Sequence, residues 1–192
     1  MSDEPEKTKK EDGTIEWRVK GELHREDGPA VEVTDGSKIW FSNGKQHRTD
    51  GPAVEHFDGT KEWWVAGALH RENGPAIVES NGTKEWHQRG ICHREDGPAV
   101  VRYDGSKQWW VHGVRHRTEG PAVIEEKEMS QWWLDGVLHR EDGPAIEYED
   151  GTKEWYLLGI QVTEKIVMNN PQRRKFLKEQ KKLKDNKLAL QT

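Results

Sequence analysis

The stretch "DGTKEWWVAGALHRENGPAIVES", residues 58–80, decides how this chain is read, because its neighbours on both sides are copies of it. Its Trp63 recurs every 23 residues, at Trp17, Trp40, Trp63, Trp86, Trp109, Trp132 and Trp155. A glycine follows each of them by four residues. A His-Arg pair begins at His24, His47, His70, His93, His116 and His139, and Gly-Pro-Ala follows each pair. No insertion breaks the register, so the chain is a tandem repeat.

Two strands can be read in each copy. "TKEWWV" is rich in β-formers and aromatics, and "PAIVES" starts on a proline, where a missing N–H is tolerated. Asp-Gly or Asn-Gly pairs, such as Asp35-Gly36 and Asn81-Gly82, join one copy to the next. Such pairs predict tight two-residue hairpin turns. The His-Arg segment then predicts a longer loop of about seven residues. Alternating tight and long connections predict an all-β, antiparallel meander of 23-residue hairpin repeats. At two strands per repeat it is elongated and twisted, on the order of 65 Å long.

Period-2 alternation sorts the side chains. The recurrent Trp and the residue two beyond it share one face, and Val31, Val54, Ile77, Val100, Val123 and Ile146 are expected to pack on it. Phe41, Trp64, Trp110, Trp133 and Tyr156 point to the other face. They vary with Arg18 and His87 in the same register, as a partner-binding surface can, and they are the candidate binding residues.

"DGTKEWWVAG" followed by "HRENGPA" resembles the MORN-repeat variant of phage, giant-virus and bacterial proteins, over about residues 12–160. The resemblance implies a hairpin sheet used for binding and scaffolding rather than catalysis, including antitoxin-like members. Three places depart from the pattern. "EKEMS" (126–130) replaces an Asp-Gly turn, "LLGIQVTEK" replaces the last His-Arg loop, and Ile15 and Arg18 alter the first copy. Departures at the ends suit capping repeats.

The repeat itself argues against chemistry. Successive histidines about 10 Å apart cannot share one zinc ion, so no metal and no cofactor is expected. Six near-identical His-Arg-Glu-Asp copies cannot supply the unequal pKa values an active site needs. The expected role is bracing: His and Arg pack on the Trp face, and Asp or Glu accepts turn N–H groups. His56, His87 and His112 stand outside this register and receive no role. Cys92 is the single cysteine; it excludes an internal disulfide and is read as inert.

Charge divides the chain. Residues 161–192 hold nine Lys or Arg and three acids, a net of +6, which leaves −11 on residues 1–160 of a chain whose total is −5. Residues 1–11 read as a disordered tail, 12–160 as six full repeats and a partial cap, and 161–192 as a cap and a basic amphipathic helix starting at Asn170-Pro171. Val162, Ile166 and Val167 are expected to close the open sheet edge. Arg173, Arg174, Lys175, Lys178, Lys181 and Lys182 are candidates for contact with an anionic partner, either nucleic acid or membrane. No signal peptide or membrane span is read, so a cytoplasmic protein is expected, in the host cytoplasm if viral. The expected function is non-enzymatic gripping of another macromolecule, most simply a protein, with neutralisation of a toxin or defence factor as one setting. A homodimer, a membrane adaptor and a nucleotide-like ligand sponge are the alternatives.

Overall fold

The computed structural model describes residues 4–169 and 171. Among them the chain is nearly all β, with 26 short antiparallel strands and one helix, Glu164–Met168. Two compact units divide after Gly113. In each, the sheet is an open meander and not a barrel.

The expected strand "TKEWWV" splits at its tryptophan. Lys61–Glu62 belongs to the main sheet, and Trp64–Val65 peels away into a side hairpin with Ala68–Leu69. Trp63 serves both: its N–H donates to Ala76 O, and its C=O accepts from His70 N–H. Other repeats split alike, as at Lys38–Ile39 and Phe41–Ser42. The end copies stay continuous, at Ile15–Val19 and Lys153–Leu157.

The two turns exchange the roles expected of them. The two-residue turn is the one after the Trp: Asn43 (φ +49°) with Gly44 (φ +71°), or Ala66 (φ +51°) with Gly67 (φ +83°). Both residues are left-handed, the signature of a type I′ hairpin turn. At Asp58-Gly59 only the glycine is left-handed (φ +92°), and the loop closes one residue wider, through His56 N–H to Thr60 O. This is the three-residue loop whose glycine forms a bulge. Asp58 Oδ1 accepts Thr60 N–H at 2.8 Å, which explains the aspartate there. In the variant turn the left-handed residue moves to Lys127 (φ +59°), because no glycine stands at Glu128.

The core also differs from expectation. The register Ile77↔Glu62 places Trp63 opposite Ala76, and the Gly-Pro-Ala alanines Ala30, Ala53, Ala76, Ala99, Ala122 and Ala145 are all fully buried. Val54 and Ile77 stand opposite Glu62, one residue before the Trp. Alternation therefore puts the Val/Ile series on the face away from the recurrent Trp, not on it. Alanine is small enough to sit opposite the indole and be wholly covered.

At the N-terminus, Glu6–Lys9 is not disordered but forms an exposed strand on Ile15–Val19. The Asp12–Gly13 turn folds it back: Asp12 Oδ1 accepts Thr14 N–H and Gly13 takes φ +88°. Lys10 also pairs with Glu16, and Lys7 Nζ lies 5.2 Å from the Trp17 ring. An edge strand with two lysines resists pairing with other chains. At the other end Val162 pairs with Trp155, and Val167 is fully buried in the short helix. Ile166 instead faces solvent, 53% exposed, so it does not cover the edge. The basic helix expected from residue 170 lies outside the described residues, apart from Pro171.

Candidate functional site

The His-Arg-Glu-Asp-Gly-Pro-Ala loops are a clamp on the tryptophan. The Arg25, Arg48, Arg71, Arg94 and Arg140 guanidinium carbons lie 3.9–4.1 Å from the rings of Trp17, Trp40, Trp63, Trp86 and Trp132. Attraction to the ring face holds the cation there. Arg48 Nη1 also donates to Pro52 O at 3.2 Å, and all six loops repeat that bond. Arg48 Nε donates to Asp50 Oδ1 at 2.8 Å, as Arg25 does to Asp27, Arg94 to Asp96 and Arg140 to Asp142. These arginines hold the Asp27, Asp50 and Asp96 carboxyls below the usual range, by hydrogen bond first and charge second. The loop glycine leaves room for the guanidinium: a Cβ on Gly143 would sit 2.7 Å from Arg140 Cζ, so the cation would have to move.

Histidine ties one repeat to the next. His24 Nδ1 accepts Asn43 N–H at 3.1 Å, and His47, His70, His93 and His139 likewise accept from Ala66, Arg89, His112 and Leu158. The acceptor role requires an unprotonated Nδ1. His116 likewise accepts Asp135 N–H at 3.2 Å, and the Asp135 carboxylate also lies 2.8 Å from the same nitrogen. Bracing by His and Arg therefore holds, but the roles are specific. Histidine takes the turn N–H, and the aspartate takes the arginine.

The histidines outside the register have partners too. His56 Nε2 lies 3.0 Å from Glu62, His87 Nε2 lies 3.0 Å from Glu85, and the His112 ring stacks on His93 at 4.6 Å. Cys92 is half-buried, and burial, then the Glu85 charge, push its thiol up to about 12. A thiol so seldom ionised is a poor nucleophile. Among the described residues no group of three or more His, Cys, Asp or Glu is placed to hold a metal ion.

The second-face residues Phe41, Trp64, Trp110, Trp133 and Tyr156 are all half-buried. Four reach back two residues for a bond: Trp64 Nε1 to Glu62 at 2.7 Å, Trp110 Nε1 to Gln108 at 3.1 Å, Trp133 Nε1 to Gln131 at 2.8 Å, and Tyr156 Oη to Glu154 at 2.9 Å. Arg18 with Glu16 and His87 with Glu85 follow the same rule. Where the second residue is Phe41, the first is Ile39. The pairing was readable from the sequence as covariation between copies. The six tail residues Arg173, Arg174, Lys175, Lys178, Lys181 and Lys182 lie outside the described residues.

Between consecutive loops the surface is grooved. One groove of about 700 Å³ runs between Arg71, Asn73, Trp86 and Arg94. The Glu26 and Glu95 side chains stand outside the clamp, 91% and 78% exposed, whereas the second and fifth loops carry Thr49 and Thr118 at that position. No helix among the described residues is long and apolar enough to cross a membrane. Comparison with family models and with curated proteins returns no match.

Proposed function

We propose that this chain is a non-enzymatic binding protein whose repeat sheet grips another protein, with neutralisation of a toxin or defence factor as its setting. One observation carries the reading. The reactive groups of the repeated loop are committed to internal bonds, His to a backbone N–H and Arg to Trp, Pro and Asp. What faces outward instead is an exposed glutamate in three of the loops (Glu26, Glu72 and Glu95), grooves between loops, and a half-buried aromatic series. Repetition of weak contacts along a rigid surface suits a macromolecular partner. The −11 carried by residues 1–160 favours a basic one.

The test is affinity capture of the full chain from its native cells, with mass spectrometry of what is retained. The captured protein is then titrated against Trp64→Ser, Trp110→Ser and Trp133→Ser chains. Loss of affinity in folded variants, and weakening from about 0.05 to 0.5 M salt, support the proposal. Unaltered affinity of the triple variant, insensitive to salt, sinks it.

A further inference from the structure

One row of the main sheet shows what a neighbouring position lacks. In the second repeat Glu55 stands between Lys38 and Lys61 on adjacent strands. Its Oε1 also accepts from Arg48 Nη1 at 3.3 Å. The carboxylate is thus held by Arg48, with Lys38 and Lys61 at the cross-strand positions on either side. The sixth repeat builds the same contact, Arg140 Nη1 to Glu147 at 2.9 Å, and in the first Arg25 Nη1 lies 3.7 Å from Glu32.

The third repeat keeps the arrangement and omits the carboxylate, and it shares Lys61 with Glu55 on the strand beyond. Val78 takes the place of Glu55, with Lys61 and Lys84 opposite it on either side. Arg71 is fixed over Trp63 at 3.9 Å, and its Nη1 donates to Pro75 O at 3.1 Å. Its other local acid is gone as well: Asn73 stands where Asp27, Asp50, Asp96 and Asp142 hold their arginines. Lys61 and Lys84 are exposed and Val78 is half-buried. Alternation sends Glu62, Glu79 and Glu85 to the opposite face, and Glu79 is bonded there by Asn81 Nδ2 at 2.9 Å. Glu72, exposed in the loop, is the nearest acid in sequence to Arg71. The fourth repeat goes half as far, with Val101 between Lys84 and Lys107 but Arg94 still held by Asp96.

We infer that the cradle of Lys61, Arg71 and Lys84 around Val78 receives a single carboxylate side chain of the bound protein, an acidic spot on an otherwise basic surface. This deepens the reading of the sheet as a binding surface and rests on it. The ligand group is identified by the chain itself, because Glu55 shows that a carboxylate fits this geometry. The guanidinium is already oriented by its tryptophan, so little side-chain freedom is lost on binding. A nucleic acid fits less well. Three cations in a body of net −11 suit one or two carboxylates and repel a run of phosphates.

A fluorescein-labelled Gly-Glu-Glu-Gly peptide, titrated into the full chain at low salt and followed by anisotropy, tests the site without knowledge of the partner. Saturable binding is expected. Val78→Glu supplies the missing carboxylate from within and weakens binding by about tenfold or more. The double change Lys61→Ala with Lys84→Ala, at exposed positions, gives the same loss if Val78→Glu fails to fold. Glu55→Val removes the acid beside Lys61 and strengthens binding of the peptide. Absence of saturable binding, full affinity in folded Val78→Glu, or tighter binding of an oligothymidylate of equal length overturns the assignment. A captured partner that still binds Val78→Glu at full strength removes this site and leaves the broader reading standing.

Discussion

Each repeat has a half that does not change and a half that does. The fixed half is the clamp of Trp, Arg, Gly and Ala, and the variable half is the side hairpin with its second-face residue and its I′ turn. In the clamp every member limits the others: the guanidinium needs the indole, the missing Cβ and the small alanine together. In the side hairpin only a rule is kept, that residues two apart suit each other, whether Glu16 with Arg18, Glu62 with Trp64 or Ile39 with Phe41. A packed constraint fixes identities, whereas a pairwise one fixes only complementarity. Variation here is therefore not by itself a mark of free surface.

The sharpest way to break this comparison sets Trp63→Ala beside Trp64→Ala. Loss of Trp63 removes the ring under Arg71 and beside Ala76, and about 3 kcal/mol of stability is expected to go with it. Trp64 is half-buried in a two-stranded hairpin, and its loss costs about 1 kcal/mol. Urea midpoints measure both. Equal costs would mean that the variable half is as much a core as the clamp. Next in size is Gly143→Ala, at about 1–2 kcal/mol, because its Cβ meets Arg140 Cζ at 2.7 Å and lifts the cation off Trp132. Gly97→Ala, with 3.1 Å to Arg94, is expected to cost less.

The repeat, its strands and the bracing role of the loop are legible in the sequence because period and residue type carry them. The turn assignment is not. Asp-Gly is a good I′ sequence, yet Ala66 and Leu158, poor ones, hold the I′ positions. Tertiary bonds decide it: Gly67 N–H reaches Gln46 O, and Ala66 N–H reaches His47, one repeat back. A local reading of turn propensity has no access to a bond 19 residues away. The alanine core was hidden for a similar reason, since Ala76 is buried by the loop folding over it and not by its own hydrophobicity. The candidate aromatics were legible as a series, but their bonds to the residue two before appear only when copies are compared pair by pair.

The variable half can also be improved. Leu158 is left-handed at φ +51° and 67% exposed, at the position where the second repeat has Asn43. Leu158→Asn is expected to raise stability by about 0.5–1 kcal/mol, because asparagine tolerates this conformation and little burial is lost. An unchanged or lowered thermal midpoint would show that the leucine makes contacts its exposure conceals.

The smallest expected effect lies inside the clamp, at its one element that varies. Asp27, Asp50 and Asp96 are held by their arginines below the ordinary carboxyl range, while the third repeat has Asn73. A carboxyl whose pKa falls on folding adds stability above its unfolded value, near about 3.9. That stability is lost as pH drops through the folded value. The fold therefore loses these contributions on acidification below about pH 4, and salt weakens them at higher pH because all three side chains are largely exposed. Asp50→Asn should lower the midpoint slightly at pH 7, and the difference from the parent should shrink as pH falls below about 4 toward the lowered folded value. Asn73→Asp should do the reverse, raising the midpoint at pH 7, since Arg71 then gains the acid its neighbours have. Parallel curves for both variants across that range would mean that the aspartates serve the loop only by shape, and that the clamp rests on the indole and the proline carbonyl.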